Sequence, residues 1–354
     1  MNIYDLLLSS LEVLSISDIS KELFVSNGTI RRWLELKNVP KYYYFDLCRI
    51  NNIKIDYSIF SEKDKDQFYT LEETAKYCIK KSYDILESLS INIDDYNIIE
   101  PAAGNGSFYK NLPKDKTIAL DIEPKYDGII EKNFLDWKPD HNKNICIGNP
   151  PFGLRGNLAL RFINHASNFS DFICFILPQL FNSNGKGSCK KRIKNLSLIY
   201  NEKIRPDFYY PSGRNIKVNT VFQIWSKIHR SNEKKVDISK YVELYSLSNG
   251  GTPGTTRNKK YINLCDYYLP STCFGSHNMR LYNDFYSLPQ QRGYGIILKK
   301  ERKQISKIIE SIDWFESSFK STNGALNLRF DIIEESIFNK INLGYKNIIS
   351  PFFY

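Results

Sequence analysis

The stretch NIIEPAAGNGSF, residues Asn97 to Phe108, governs how the rest of the chain is read. An apolar run delivers Glu100 and Pro101, then the small residues Ala102, Ala103, Gly104, Asn105 and Gly106. Glycine lacks the Cβ that blocks sharp turns, so such a loop lets the backbone approach a ligand closely. Open α/β sheets bind ligands at the C-terminal ends of their strands, where this loop would lie. The spacing is neither GxGxxG nor GxxxxGK[ST], so neither glycine fingerprint applies.

Downstream, residues 116–124 read KTIALDIEP, a second strand that ends on Asp121, 17 residues beyond Gly104. An acidic side chain at that place accepts hydrogen bonds from ribose hydroxyls. Together the two pieces imply an adenosine-bearing ligand lying across the sheet edge. Residues 145–153, ICIGNPPFG, form a third apolar run that stops on two adjacent prolines. Proline has no N–H and a fixed φ, so this tetrapeptide must close a strand rather than continue it. Asn149 offers an amide oxygen and Pro150 a carbonyl oxygen, and two such acceptors suit the two hydrogens of an NH2 group. A planar aromatic amine is a poor nucleophile because its lone pair is delocalised. Acceptors aimed out of the ring plane favour a tetrahedral nitrogen with a localised lone pair. Pro151 stiffens the turn, and Phe152 offers a face for a base to stack on.

Further on, LALRFINHA reads as a helix, and DFICFILP and VNTVFQIWS as strands. Strands alternating with helices imply a mostly parallel, doubly wound sheet. Ahead of it, residues 61–67, SEKDKDQ, read as a charged linker, and Thr70 with Glu73 has the spacing of a capping box opening a helix that runs to about Leu89. Residues 15–36, SISDISKELFVSNGTIRRWLEL, place Ser17 as an N-cap and Ile19 and Leu23 on one helical face. FVSN interrupts the pattern, and a second helix restarts with Ile30, Trp33 and Leu34 inward and Arg31 and Arg32 outward. This layout resembles a helix-turn-helix, with Phe24 where the turn usually has glycine. After about Ile228 the texture becomes irregular and aromatic, with a helix expected near 299–311. The expected domains are therefore 1–60, 61–228 and 229–354.

The chain has 354 residues, 42% of them hydrophobic, enough for a large core. No apolar run approaches the ~20 residues of a membrane span, and the N-terminus, with no basic lead-in and an early Asp5, does not read as a signal peptide. Seven cysteines without CxxC spacing fit a reduced, cytoplasmic protein. Four scattered histidines make a metal site unexpected. A net charge of +10 suggests a polyanionic partner. Two basic loops suit phosphate contacts: one carries Lys186, Lys190, Lys191, Arg192 and Lys194, the other Arg257, Lys259 and Lys260.

The order FYT, EPAAGNG, LDIEP, GNPPFG, FILP, VFQIW resembles the S-adenosylmethionine-dependent DNA methyltransferases of the adenine-N6 type, in a gamma-like arrangement over about residues 66–228. The resemblance implies a Rossmann-like class I methyltransferase fold with a mostly parallel seven-stranded sheet, a small N-terminal helical domain and a C-terminal α+β recognition domain. It implies S-adenosylmethionine as cofactor, held by Tyr69, Thr70, Glu100, Pro101, Ala102, Gly104, Gly106, Asp121, Ile122 and Phe134, with Asn133 or Asp136 at the cofactor's adenine. It makes Asn149, Pro150, Pro151 and Phe152 the catalytic tetrapeptide, with Asn149 also beside the cofactor. Phe152 and Trp225, or Phe222 in its place, would stack on a flipped-out adenine. The implied partners are duplex DNA and, within a restriction–modification system, a cognate endonuclease. RNA adenine-N6 and protein glutamine-N5 methyltransferases carry the same tetrapeptide. Cytosine-N4 enzymes usually begin it with Ser or Asp. A DNA-binding regulator with an inactive methyltransferase fold is a further alternative.

Overall fold

The structure is a computed structural model that describes residues 2–62, 64–65, 67–141, 143–183, 188–230, 237–250, 256–320 and 324–349. The chain divides into two compact units, residues 1–178 with 193–231, and residues 179–192 with 232–354. The second unit takes in residues 179–192, which the sequence reading grouped with 61–228. The N-terminal helices belong to the same unit as the sheet.

In the first unit, seven strands form one sheet: β1 Asn97–Glu100, β2 Thr117–Asp121, β3 Ile130–Glu131, β4 Asn144–Gly148, β5 Phe172–Pro178, β6 Ser197–Ile204 and β7 Thr220–Ser226. Their order is β3-β2-β1-β4-β5-β7-β6. The pairs among β1 to β5 are parallel, and β7 runs antiparallel to both β5 and β6. The strand order reverses at β1, so the ends of β1 and β4 open a crevice between them, the usual ligand position of such sheets. Every residue of β4 and of β7 is buried, which explains why neither strand alternates polar with apolar residues: central strands are covered on both faces.

The chain begins with helices α1 Ile3–Val13, α2 Ile16–Glu22, α3 Asn27–Leu36 and α4 Tyr44–Ile50. They share one core built on Leu6, Leu7, Ile19, Ile30, Trp33 and Leu47. Ser15, not Ser17, caps α2: its side chain accepts from the Asp18 N–H, and Ser17 sits inside the first turn. Phe24 takes φ +53°, the left-handed conformation that glycine normally supplies in this turn. Arg31 and Arg32 are exposed on α3, as the apolar face required.

Helix α5 spans Glu72–Ser88 and buries Ala75, Cys78, Ile79, Ser82 and Leu86 along one stripe. Its capping box does not form. Leu71 is the N-cap and makes no side-chain cap. Thr70 instead lies in a short strand, Tyr69–Thr70, paired with Phe208 and Tyr209 of the hairpin between β6 and β7. Helix α6, Asn157–Ala166, follows the proline turn and buries Leu160, Phe162 and Ile163.

The second unit is α+β. A three-stranded antiparallel sheet, β8 Val242–Ser248, β9 Tyr267–Pro270 and β10 Arg292–Leu298, has β10 in the centre. Helices Arg302–Glu310 and Phe330–Ile349 share its core through Ile305, Ile309, Ile333 and Ile337. The second helix was not evident in the sequence. No helix among the described residues is long and apolar enough to cross a membrane.

Candidate functional site

A cavity of about 690 Å³ opens at the C-terminal ends of β1, β2 and β4, within the ~300–1,000 Å³ of small-molecule sites. Tyr69, Thr70, Glu100, Pro101, Ala102, Gly104, Asp121, Ile122, Asn133, Phe134, Asp136, Asn149, Pro150 and Pro151 all line it. Segments far apart in sequence thus meet at one place, because the parallel connections return every strand end to the same edge.

The glycine loop has its shape for identifiable reasons. Gly104 adopts φ +52°, and a Cβ there would lie 2.9 Å from the Tyr69 ring. Its N–H donates to Asp121 Oδ2 at 2.7 Å, while Asp121 Oδ1 accepts from the Glu123 N–H at 2.8 Å. Burial raises the Asp121 pKa, and these two backbone donors oppose the rise. Each carboxylate oxygen keeps a further lone pair for a hydroxyl donor. Glu100 is almost wholly buried, and its Oε2 has no hydrogen-bond partner. Burial, and then the neighbouring Asp121 carboxylate, raise its pKa well above the carboxylate range. A bound cation would reverse that rise.

At the end of β4, the Asn149 Nδ2 donates to Thr70 Oγ1 at 3.1 Å. That bond leaves Oδ1 buried and without a partner, and Asn149 lines the cavity. Among the described residues no backbone N–H bonds the Pro150 carbonyl. Thr70 is itself held: Ser107 Oγ donates to its carbonyl at 2.7 Å.

At the other end, Asn133 Nδ2 donates to Asp136 Oδ2 at 2.6 Å, and Asn133 Oδ1 accepts from the Leu135 N–H. Both residues line the cavity. Residues that sequence reasoning missed complete it. Glu123 pairs with Lys65 at 2.7 Å, so the charged linker is part of the site. Phe45, Arg49 and Tyr57 enter from the N-terminal module.

Several expected residues lie elsewhere. Gly106 does not line the cavity; its φ of +81° brings its backbone against Tyr126. Phe222 and Trp225 are buried on β7, which lies between β5 and β6. The Trp225 Nε1 is satisfied inside the fold, donating to Gln223 Oε1 at 3.1 Å. Neither ring lines the cavity, because a central strand sends both its faces into the core. Phe152 is 7% exposed and packs edge-on against Phe68 at 5.1 Å. Its carbonyl accepts from the Leu158 and Ala159 N–H groups at the start of α6, which draws the ring into the turn. Of these two residues, Phe68 lines the cavity and Phe152 does not.

Of the basic residues, Lys186 lies outside the described residues. Lys190, Lys191 and Arg192 form a short 3-10 turn, Lys194 is exposed, and Arg257, Lys259 and Lys260 are exposed. Among the described residues no group of three or more His, Cys, Asp or Glu side chains is arranged to hold a metal ion.

A central sheet in the order β3-β2-β1-β4-β5-β7-β6, with β7 the antiparallel member, defines the class I methyltransferase fold. No protein-family model matches the chain, and no curated protein matches it. Among solved structures, a proposed RNA methyltransferase of Pyrococcus horikoshii is 13% identical, with a TM-score of 0.34 over 46% of this chain and 88% of its own. Magnesium protoporphyrin IX methyltransferase of Synechocystis PCC 6803, solved with bound S-adenosylmethionine, is 11% identical, with a TM-score of 0.27 over 60% of this chain and 98% of its own.

Proposed function

We propose that this protein is a DNA adenine-N6 methyltransferase that uses S-adenosylmethionine. The observation that carries the reading is the Asn149 amide oxygen, buried and unpartnered at the cavity wall, with its own NH2 group tied to Thr70. A buried acceptor left unsatisfied costs ~1–3 kcal/mol, so its partner is expected in a ligand. An exocyclic NH2 supplies that partner. Asn149 Oδ1 takes one hydrogen and the Pro150 carbonyl the other, and both bonds strengthen as the nitrogen turns tetrahedral. Thr70 keeps the amide oxygen, rather than its nitrogen, facing the amine. No charged base is needed, because the alkylated nitrogen is acidic enough to release its proton to water.

The residues also fit the cofactor. S-adenosylmethionine supplies a methyl group activated on a sulfonium. The buried Glu100 carboxylate suits the cationic methionine end, and Asp121 suits the ribose hydroxyls. A base inside a duplex cannot reach this crevice. It must be extruded at a cost of a few kcal/mol, which one base–aromatic stack of ~1–3 kcal/mol offsets. Phe68, backed by Phe152, is the ring we assign to that stack.

Helix α3 presents Arg31 and Arg32 for the DNA backbone, and the second unit with its basic loops would read the sequence. A restriction–modification system with a cognate endonuclease is the expected setting, in the cytoplasm. Tritiated S-adenosylmethionine offered with duplex DNA, RNA and protein tests the proposal, followed by nucleoside analysis of the labelled product. Label in N6-methyladenine of DNA is expected. Label confined to RNA, to cytosine or to a glutamine side chain would replace the substrate assignment. Absence of label with bound cofactor would favour a regulator.

A further inference from the structure

Helix α4 and the chain after it form a wall of the cavity, through Phe45, Arg49, Ile53 and Tyr57. The Phe45 and Tyr57 ring centroids lie 5.4 Å apart, with Phe60 behind Phe45 at 4.8 Å. Arg49 connects this wall to the turn that follows β3: one nitrogen donates to Glu22 of α2 at 2.7 Å and another lies 3.6 Å from Asp136 Oδ1. Its Nε is buried and has no partner. Asp136 in turn holds Asn133. The wall is anchored as well. Arg161, almost wholly buried on α6, pairs with Asp46 of α4, and Asn157 Nδ2 donates to the Leu23 carbonyl at 2.7 Å.

We infer that the N-terminal module is an integral part of the cofactor site, with Phe45 and Tyr57 as an aromatic wall against the cofactor's adenine and Arg49 as the residue that positions Asp136. This rests on the S-adenosylmethionine reading above and extends it to a segment assigned only to DNA. The chemistry is that of purine recognition: a purine ring pairs with an aromatic face, which Phe45 and Tyr57, tilted 46° to each other, offer one at a time, and the Asn133–Asp136 pair lines the same cavity as a polar edge. Because α4 shares one core with α1, α2 and α3, the helix offered to DNA and the wall offered to adenine belong to the same packed body. Cofactor occupancy therefore tightens the whole module.

The test uses the full chain and two ligands, S-adenosylhomocysteine and adenosine, with affinities measured by calorimetry. Phe45→Ala and Tyr57→Ala should each weaken both ligands by about tenfold and by the same factor, since both carry the adenine. Phe45→Trp and Tyr57→Trp should bind near the unsubstituted level, which separates loss of the ring from loss of folding. In the unsubstituted protein, saturating S-adenosylhomocysteine should slow amide exchange across residues 44–57. Unchanged affinity for both ligands in the two alanine variants overturns the inference. So does a loss confined to S-adenosylhomocysteine, or exchange over residues 44–57 that ignores the ligand. An unsubstituted chain that binds neither ligand overturns the cofactor reading itself.

Discussion

Thr70 Oγ1 and Asn149 Nδ2 lie 3.1 Å apart, although 79 positions separate the two residues. This one bond decides which atom of the Asn149 amide faces the cavity. Thr70 reaches it because its short strand pairs with the hairpin between β6 and β7. Asn149→Ala should therefore reduce methyl transfer by at least ~100-fold, the usual effect of deleting one preorganised polar group, while S-adenosylhomocysteine affinity stays within about threefold. Thr70→Val should lower turnover by roughly tenfold through loss of orientation, and Thr70→Ser should restore it. Single-turnover kinetics with labelled cofactor check all three variants.

Glu100 makes stability depend on pH. Burial, then Asp121, raise its folded pKa well above the ordinary 4.5. A carboxyl with a raised folded pKa holds a proton that the unfolded chain has already released. Its stabilising contribution is complete below about pH 4.5 and is lost as pH rises through the folded value. Glu100→Gln should flatten the fall in Tm above pH 4.5, leaving the smaller slope from Asp121, whose pKa is raised in the same sense. The same variant should bind S-adenosylmethionine less tightly. Thermal melts from pH 4.5 to 8 and a calorimetric titration measure the two effects.

Gly104 holds a left-handed conformation against the Tyr69 ring. At φ +52°, with the Tyr69 ring 2.9 Å from an added Cβ, Gly104→Ala should cost about 1–3 kcal/mol of backbone strain. It should also displace the N–H that binds Asp121. Denaturant melts should show the loss of stability, and nucleoside affinity should fall with it.

The Arg161–Asp46 pair holds the N-terminal module to α6. Arg161→Leu strands the Asp46 carboxylate and should destabilise the first unit by about 3 kcal/mol. Adding Asp46→Asn should recover part of this. A double-mutant cycle by chemical denaturation gives the coupling.

Arg31 and Arg32 are exposed on α3. If they meet phosphates, replacing both with Ala should weaken duplex binding and reduce the slope of log K against log salt by about 1 per contact. Fluorescence anisotropy at several salt concentrations reads this.

Local chemistry carried much of the architecture. NIIEPAAGNGSF, KTIALDIEP and ICIGNPPFG become β1, β2 and β4 with their loops, because apolar runs, glycine turns and prolines act within a few residues. That their ends converge follows from the handedness of parallel connections, so the glycine loop, Asp121 and Asn149 could be placed together beforehand. Thr70 shows the limit: capping-box spacing is a local signal, and pairing with Phe208 and Tyr209 overrode it. Phe222 and Trp225 show it again, since an aromatic strand next to a site reads the same whether its rings face a ligand or the core. Phe45, Arg49 and Tyr57 carry no motif at all. They reach the cavity from the N-terminal module, with Arg49 beside Asp136 and Asp46 of α4 paired to Arg161 of α6, and contacts of that range leave no periodic trace in the chain that makes them.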